Sequence, residues 1–231
     1  MNNNSNSILQ ISGLCKNFTN ENNMVIEIIK NLNFNLKQNS KVSIIGPSGS
    51  GKTTLLNIIG LLDKDFEGSF YFKQRDISLC TPTETNSLRG ASIGFIHQFF
   101  HLIPELSAIE NVMLPLLINK NEYKSYEVSK KILCEFGLEE RINFKPIKLS
   151  GGEQQRVAIA RSLVHNPDLI LADEMTGNLD EDTAAFIFKF FINYIEQNKK
   201  TLVYVTHNKT YSLLADEIYY FKNKKIQLKD E

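Results

Sequence analysis

The stretch "GPSGSGKT" at 46–53 sets three glycines around a lysine and a hydroxyl residue. The pattern G-x-x-x-x-G-K-S/T lets backbone N–H groups turn inward around phosphate oxygens. "KVSII" (41–45) before it predicts a buried strand, and "KTTLLNIIGLL" (52–62) after it predicts a helix. The N-terminus of that helix adds its positive end to the cradle. Gly46, Pro47, Ser48, Gly49, Ser50, Gly51, Lys52, Thr53 and Thr54 are therefore the candidate ATP ligands. Lys52 reaches the β- and γ-phosphates in this arrangement, and the Thr53 hydroxyl faces Mg²⁺.

A second set of groups follows. The apolar run "DLILAD" (168–173) predicts a strand that delivers Asp173 to a sheet mouth, where it can hold Mg²⁺ through water. Glu174 comes next, and two adjacent carboxylates beside a triphosphate divide naturally into metal holder and general base. His207 ends the predicted strand "TLVYVTH" (201–207) and is a candidate γ-phosphate contact.

The third feature is "LSGGEQ" (149–154). Ser150 and Glu153 fit a capping box. That does not explain Gly151 and Gly152, which cost stability in a first helical turn. Bare backbone at a helix N-terminus allows close approach to an anion. One solution for two phosphate cradles and one triphosphate is that each cradle serves a different copy of the chain.

These groups must be positioned by elements. Strands are expected at 8–14, 41–45, 69–72, 92–96, 168–173 and 201–207, with a closing hairpin from "EIYYF" and "KIQL". Helices are expected at 52–62, 107–118, 122–137, 151–165 and 181–198. In the third, Val128, Ile132 and Phe136 recur at helical spacing. In the last, Ala184, Ile187, Phe188, Phe191, Ile192 and Ile195 form one stripe. Strands alternating with helices argue for a mainly parallel sheet. No strand is expected between 99 and 149, so that stretch reads as a helical subdomain inserted in the nucleotide-binding α/β core of 8–98 and 150–231. Residues 1–7 read as a disordered tail.

Bulk composition excludes several classes. Lys+Arg and Asp+Glu both number 26, so a general basic surface for nucleic acid is not indicated, which leaves only a local patch open. Cys15, Cys80 and Cys134 lack metal or disulfide spacing, which suits a reducing compartment. No apolar run approaches the ~18 residues of a membrane helix.

"GPSGSGKTTLL", "LSGGEQQRVAIARSLVHNPDLILADE", "TGNLD" and "VTH", in this order, resemble the ATP-binding subunits of ABC transporters. The resemblance covers nearly the whole chain. It implies a P-loop core with an N-terminal antiparallel β portion. It also implies a head-to-tail homodimer with each ATP between the phosphate loop of one copy and Ser150, Gly151 and Gly152 of the other. Gln98 would be the glutamine linking γ-phosphate and Mg²⁺ to the helical subdomain. Asp180 would lie at the dimer seam, and Phe18 against adenine. Three positions depart from the family pattern: Phe18 for tyrosine, Met175 for proline and Asn208 for aspartate.

"GFIHQFFHLIPELSAIENVMLPLLI" (94–118) is similar to the lipoprotein-releasing, Lol-type branch. This implies an ATPase on the cytoplasmic face of an inner membrane, held there only through two integral membrane subunits. Those subunits would contact the helical subdomain and the Gln98 loop. The macrolide-exporter and cell-division ATPases of the same group are the alternative. DNA-associated relatives are disfavoured, because no long coiled-coil arm separates Lys52 from Ser150.

Overall fold

The computed structural model describes residues 6–19, 21–119 and 124–229. β1 (Ser7–Thr19) and β2 (Val25–Lys37) precede β3 (Lys41–Ile45), α1 (Lys52–Ile59), β4 (Glu67–Phe72) and β5 (Arg75–Asp76). α2 (Pro82–Ser92), β6 (Ile93–Ile96), α3 (Ala108–Ile118) and α4 (Ser125–Glu135) follow. α5 (Gly151–Leu163), β7 (Leu169–Asp173), α6 (Glu181–Gln197) and β8 (Thr201–Val205) come next, before α7 (Lys209–Ser212), β9 (Glu217–Lys222) and β10 (Lys225–Leu228). The chain forms two compact units, one of Met1–Asn86 with Lys200–Glu231, the other of Ser87–Lys199.

In the first unit, β2, β1, β4 and β5 form an antiparallel sheet in that order. Leu32, Phe34 and Leu36 alternate inward along β2, opposite exposed Asn and Lys residues. β3 is flanked in parallel by β8 and β9, and β10 adds antiparallel to β9 as the expected hairpin. All of β8 is buried, as a parallel strand covered on both faces requires. α1 ends earlier than its apolar run suggests. Gly60 caps it and Leu61 turns to φ 57°. β8 also stops at Val205, so His207 lies beyond the strand rather than ending it, on exposed chain. At the N-terminus, Asn6 O accepts from Gln38 N at 2.9 Å and β1 starts at Ser7. Residues 1–5 of the expected tail lie outside the described residues.

In the second unit, β6 pairs in parallel with the fully buried β7, from Ile93 opposite Leu169 to Ile96 opposite Ala172. α5 packs closely on β6. A Cβ on Gly94 would lie 2.2 Å from the Ser162 carbonyl oxygen, a backbone atom that cannot step aside. Gly94→Ala is therefore expected to lower unfolding stability by at least about 1–3 kcal/mol, measurable as a lower urea midpoint.

The six residues of the α6 stripe are all buried. α3 begins in a second capping box, Ser107 with Glu110. Buried Asn111 donates to the carbonyls of Ile103, Leu106 and Ser107 and accepts from Ile103 N, pinning the loop ahead of the helix. α4 keeps Ile132 inside and closes on buried Phe136, but Val128 is 42% exposed, so only part of the expected face is core. The start of that helix, 122–123, lies outside the described residues. Residues 97–107 and 136–150 carry turns and short helical segments but no strand.

Candidate active site

The phosphate loop sits in the first unit. Gly46, Gly49 and Gly51 have φ of 157°, 71° and 110°. Gly51 is also closely confined, since a Cβ there would lie 2.9 Å from Ile28 Cγ2. α1 starts from Gly51 with no side-chain cap and no acidic residue in its first turn, which leaves its N–H groups for an anion. Ser50 Oγ is buried without a hydrogen-bond partner among the described residues. An uncapped helix start, positive-φ glycines and an orphan hydroxyl fit a bound polyphosphate. Lys52 is 5% exposed, and its Nζ donates to Gly46 O at 3.0 Å and Pro47 O at 2.7 Å. Thr53 is exposed on the first turn.

Phe18 stands on β1 and is 46% exposed. Its cross-strand partner is Ile26, 47% exposed. Ile28, two residues on along the same strand, is the side chain that meets Gly51. An apolar platform thus runs beside the phosphate loop. Ile26 was not singled out in the sequence, where it reads as an ordinary apolar residue of "MVIEII". Its partnership with Phe18 exists only once the register is known.

The second unit gathers Gln98, Asp173 and Glu174. Pairing of Ile96 with Ala172 brings the chain leading to Gln98 beside the chain leading to Asp173. Asp173 closes β7 and is 9% exposed. Glu174 has φ 45°, unusual for a residue with a long side chain, and its carbonyl accepts from Gly177 N at 2.9 Å. Gln98 Nε2 would sit 3.5 Å from a Cβ on Gly177, and Gln98 O accepts from Asn178 Nδ2 at 2.9 Å. The loop beyond is held by Arg161, which donates to Phe100 O and His101 O. His97 stacks on Phe95 with ring centroids 4.2 Å apart. Burial, then His101 and Arg161, push the His97 pKa down to about 4, so the ring beside Gln98 is neutral at physiological pH.

Ser150 forms the expected capping box. Its Oγ accepts from Glu153 N at 3.3 Å, and Glu153 Oε2 accepts from Ser150 N at 2.7 Å. Glu153 is further held by Arg141 Nε at 2.9 Å. The Ser150 N–H foremost, with Arg141, keeps its carboxyl below the usual range despite burial. Asp180 caps α6 by accepting from Thr183 N at 2.9 Å. The starts of α5 and α6 line one pocket of about 530 Å³ that includes Ser150, Gly151, Gly152, Asn178 and Asp180. The two glycines differ. A Cβ on Gly152 would lie 2.7 Å from Thr183 Cγ2, so this residue lets α5 approach α6. A Cβ on Gly151 would meet only ordinary contacts, at 3.4 Å and beyond. Arg156, passed over in the sequence, also lines the pocket, and its buried Nε has no hydrogen-bond partner among the described residues.

Comparison with known proteins bears on what these sites do. The ABC transporter family matches residues 29–177. The lipoprotein-releasing system ATP-binding protein LolD of Rickettsia bellii is 42% identical over 95% of this chain and 97% of its own length.

The chain belongs to the ABC transporter family.

The ABC transporter ATP-binding protein MJ0796 of Methanocaldococcus jannaschii is 44% identical over 90% of both chains. A solved dimer of that cassette in a post-hydrolysis state, bound to ADP and phosphate, superposes with a TM-score of 0.88 over 96% of this chain and 98% of its own, at 38% identity. Within the family the present chain is an ATP-binding, ATP-hydrolysing subunit.

The departures from the ABC pattern now have physical readings. Met175 is 3% exposed, so burial rather than a proline ring anchors the loop after Glu174. Asn208 Oδ1 accepts from Thr210 N at 2.8 Å and Tyr211 N at 3.2 Å, capping α7. Asparagine caps a helix about as well as aspartate, so α7 tolerates the exchange. Phe18 keeps the flat face and drops the hydroxyl.

Proposed function

We propose that this chain is the ATPase motor of a lipoprotein-releasing complex, peripheral on the cytoplasmic face of an inner membrane. The observation that carries the reading is full-length similarity to lipoprotein-releasing ATPases, at 41–42% identity over 95–96% of the chain for two of them. Among the described residues, no helix is long and apolar enough to cross a membrane. Anchoring through two integral membrane subunits fits that. Exposed Phe99, Ile103, Leu117 and Ile118, in and around α3, are candidate contacts for them.

In this reading adenine stacks on Phe18 beside Ile26. The loop from Gly46 to Thr54 wraps the phosphates, with Lys52 turning from Gly46 O and Pro47 O to the β- and γ-oxygens. Among the described residues no three His, Cys, Asp or Glu side chains form a metal cluster. Mg²⁺ would therefore take much of its shell from the phosphates, with Thr53, Gln98 and water-linked Asp173 completing it. The ion would offset charge on the γ-phosphate. Glu174 accepts the proton of the attacking water, and His207 contacts the γ-phosphate. A second copy supplies Ser150, Gly151, Gly152 and Asp180 in a head-to-tail homodimer.

The test is to tag the chain in its native cells, solubilise the membranes and identify the integral membrane proteins that copurify. The expected result is a pair with large periplasmic domains that, reconstituted with this chain, releases a lipoprotein from vesicles on ATP addition. Recovery with an exporter or a wall-hydrolase regulator, and no release, would overturn the lipoprotein assignment.

A further inference from the structure

Lys16 is, like Lys52, a buried cation of the first unit, but it has no place in the phosphate chemistry. It is 3% exposed on β1, two residues before Phe18. Its Nζ lies 3.0 Å from an Asp63 carboxylate oxygen and 3.0 Å from Asp65 Oδ2, and donates to Asp65 O at 2.5 Å. The three N–H bonds of the ammonium are thereby taken up. The same Nζ stands 4.8 Å from the centroid of the Phe18 ring.

Asp63 and Asp65 occupy the turn that leaves α1. Asp65 N donates to Asp63 Oδ1 at 2.9 Å, and Leu62 N and Asp63 N both donate to Asn57 O. α1 is the helix that begins at Lys52 and Thr53. Lys16 therefore ties the aromatic ring on β1 to the far end of the helix whose near end forms the phosphate loop.

We propose that Lys16 is a positioning residue for the nucleotide base. One face of the Phe18 ring is held by an ammonium that two carboxylates keep in place, leaving the opposite face for a purine. A cation against one face draws π-density toward itself, so the free face becomes a better partner for an electron-rich base. The clamp also fixes the spacing between base platform and phosphate loop, because ring and α1 share one anchor. This inference rests on the reading of Phe18 as the adenine platform.

The experiment compares ATP with inorganic tripolyphosphate, each displacing a fluorescent ATP analogue from the full-length chain. Lys16→Met keeps the aliphatic stem and removes the charge. It is expected to weaken ATP binding roughly 3- to 30-fold while changing tripolyphosphate binding less than about twofold. Lys16→Arg retains a cation and should restore most of the ATP affinity. In a Phe18→Ala background, Lys16→Met should have little further effect on ATP. Asp65 is exposed, so Asp65→Asn tests the same clamp in a variant whose folding is not at issue, with a smaller loss confined to ATP. If ATP and tripolyphosphate weaken in the same ratio, or if the Lys16→Met loss persists undiminished without Phe18, Lys16 only supports the fold and the proposal fails. If Phe18→Ala leaves the ATP-to-tripolyphosphate ratio unchanged, the adenine platform itself is wrong and the proposal falls with it. If Phe18→Ala shifts that ratio and neither Lys16→Met nor Asp65→Asn does, the platform stands and Lys16 has no part in it.

Discussion

Glu174→Gln is expected to keep ATP binding while lowering turnover by roughly 10²–10⁴-fold, the range for removal of a general base. The substitution changes one atom, from an oxygen that accepts a proton to a nitrogen that cannot. It leaves the backbone alone, and the backbone is what is unusual here. Glu174 holds φ 45° at the end of a fully buried strand, fixed by the Gly177 N–H and by buried Met175 on its C-terminal side. Asparagine, aspartate and glycine accept that conformation more readily than glutamate, so the side chain is kept at some cost in strain. Steady-state phosphate release at saturating ATP, beside binding of a fluorescent ATP analogue, separates the two effects. Near-normal turnover would remove Glu174 from the role of base. If hydrolysis is what reopens the dimer, ATP-loaded Glu174→Gln should also accumulate as dimer on a sizing column.

Most of the candidate site was legible because the chemistry proposed for it is written in local spacing. A phosphate loop needs glycines at fixed offsets between a strand and a helix, and KVSII and α1 supply both. Buried parallel strands need continuous apolar runs, so β7 and β8 stood out. β2 did not, although Leu32, Phe34 and Leu36 alternate. Its outward positions are Asn and Lys, poor strand formers that hide a period of two. α2 was missed for the opposite reason. "PTETNSLRGAS" is almost wholly polar and has no apolar stripe, yet Thr81 and Glu84 make a capping box with Pro82 in the first turn.

What local spacing does not carry is register. The pairing of Phe18 with Ile26 depends on the register of the β1–β2 pair, and the Lys16 clamp and the meeting of Gly152 with Thr183 join residues far apart in sequence. The capping boxes at Thr81, Ser107 and Ser150 teach a related lesson. The same local motif starts three helices, and in only one do two glycines follow. The cap therefore explains the turn, and the glycines need a separate cause. For Gly152 that cause is the approach of α6. Gly151 is left as the position with room for something from outside the chain.

Ser150→Arg tests whether that something is a second copy of the protein. Ser150 opens the pocket shared by the starts of α5 and α6. Arginine there would place a long cation where, in the proposed dimer, the γ-phosphate held by the other copy would approach, and would remove the hydroxyl that accepts from Glu153 N. The cap alone is worth about 1 kcal/mol, which Ser150→Ala isolates. Ser150→Ala should cost modest stability and keep most activity. Ser150→Arg should lower hydrolysis by about 10²-fold or more, because misplacing the γ-phosphate by an ångström suffices for that. ATP binding by dilute, monomeric chain should stay within a few-fold, since the loop from Gly46 to Thr54 is untouched. Wild-type turnover per molecule should rise with protein concentration, as a site completed by a partner requires, and mixing Ser150→Arg with wild type should poison activity in proportion to mixed dimers. Turnover that is independent of protein concentration and indifferent to Ser150→Arg would mean that each chain completes its own site. The pocket at Gly151 would then need another occupant.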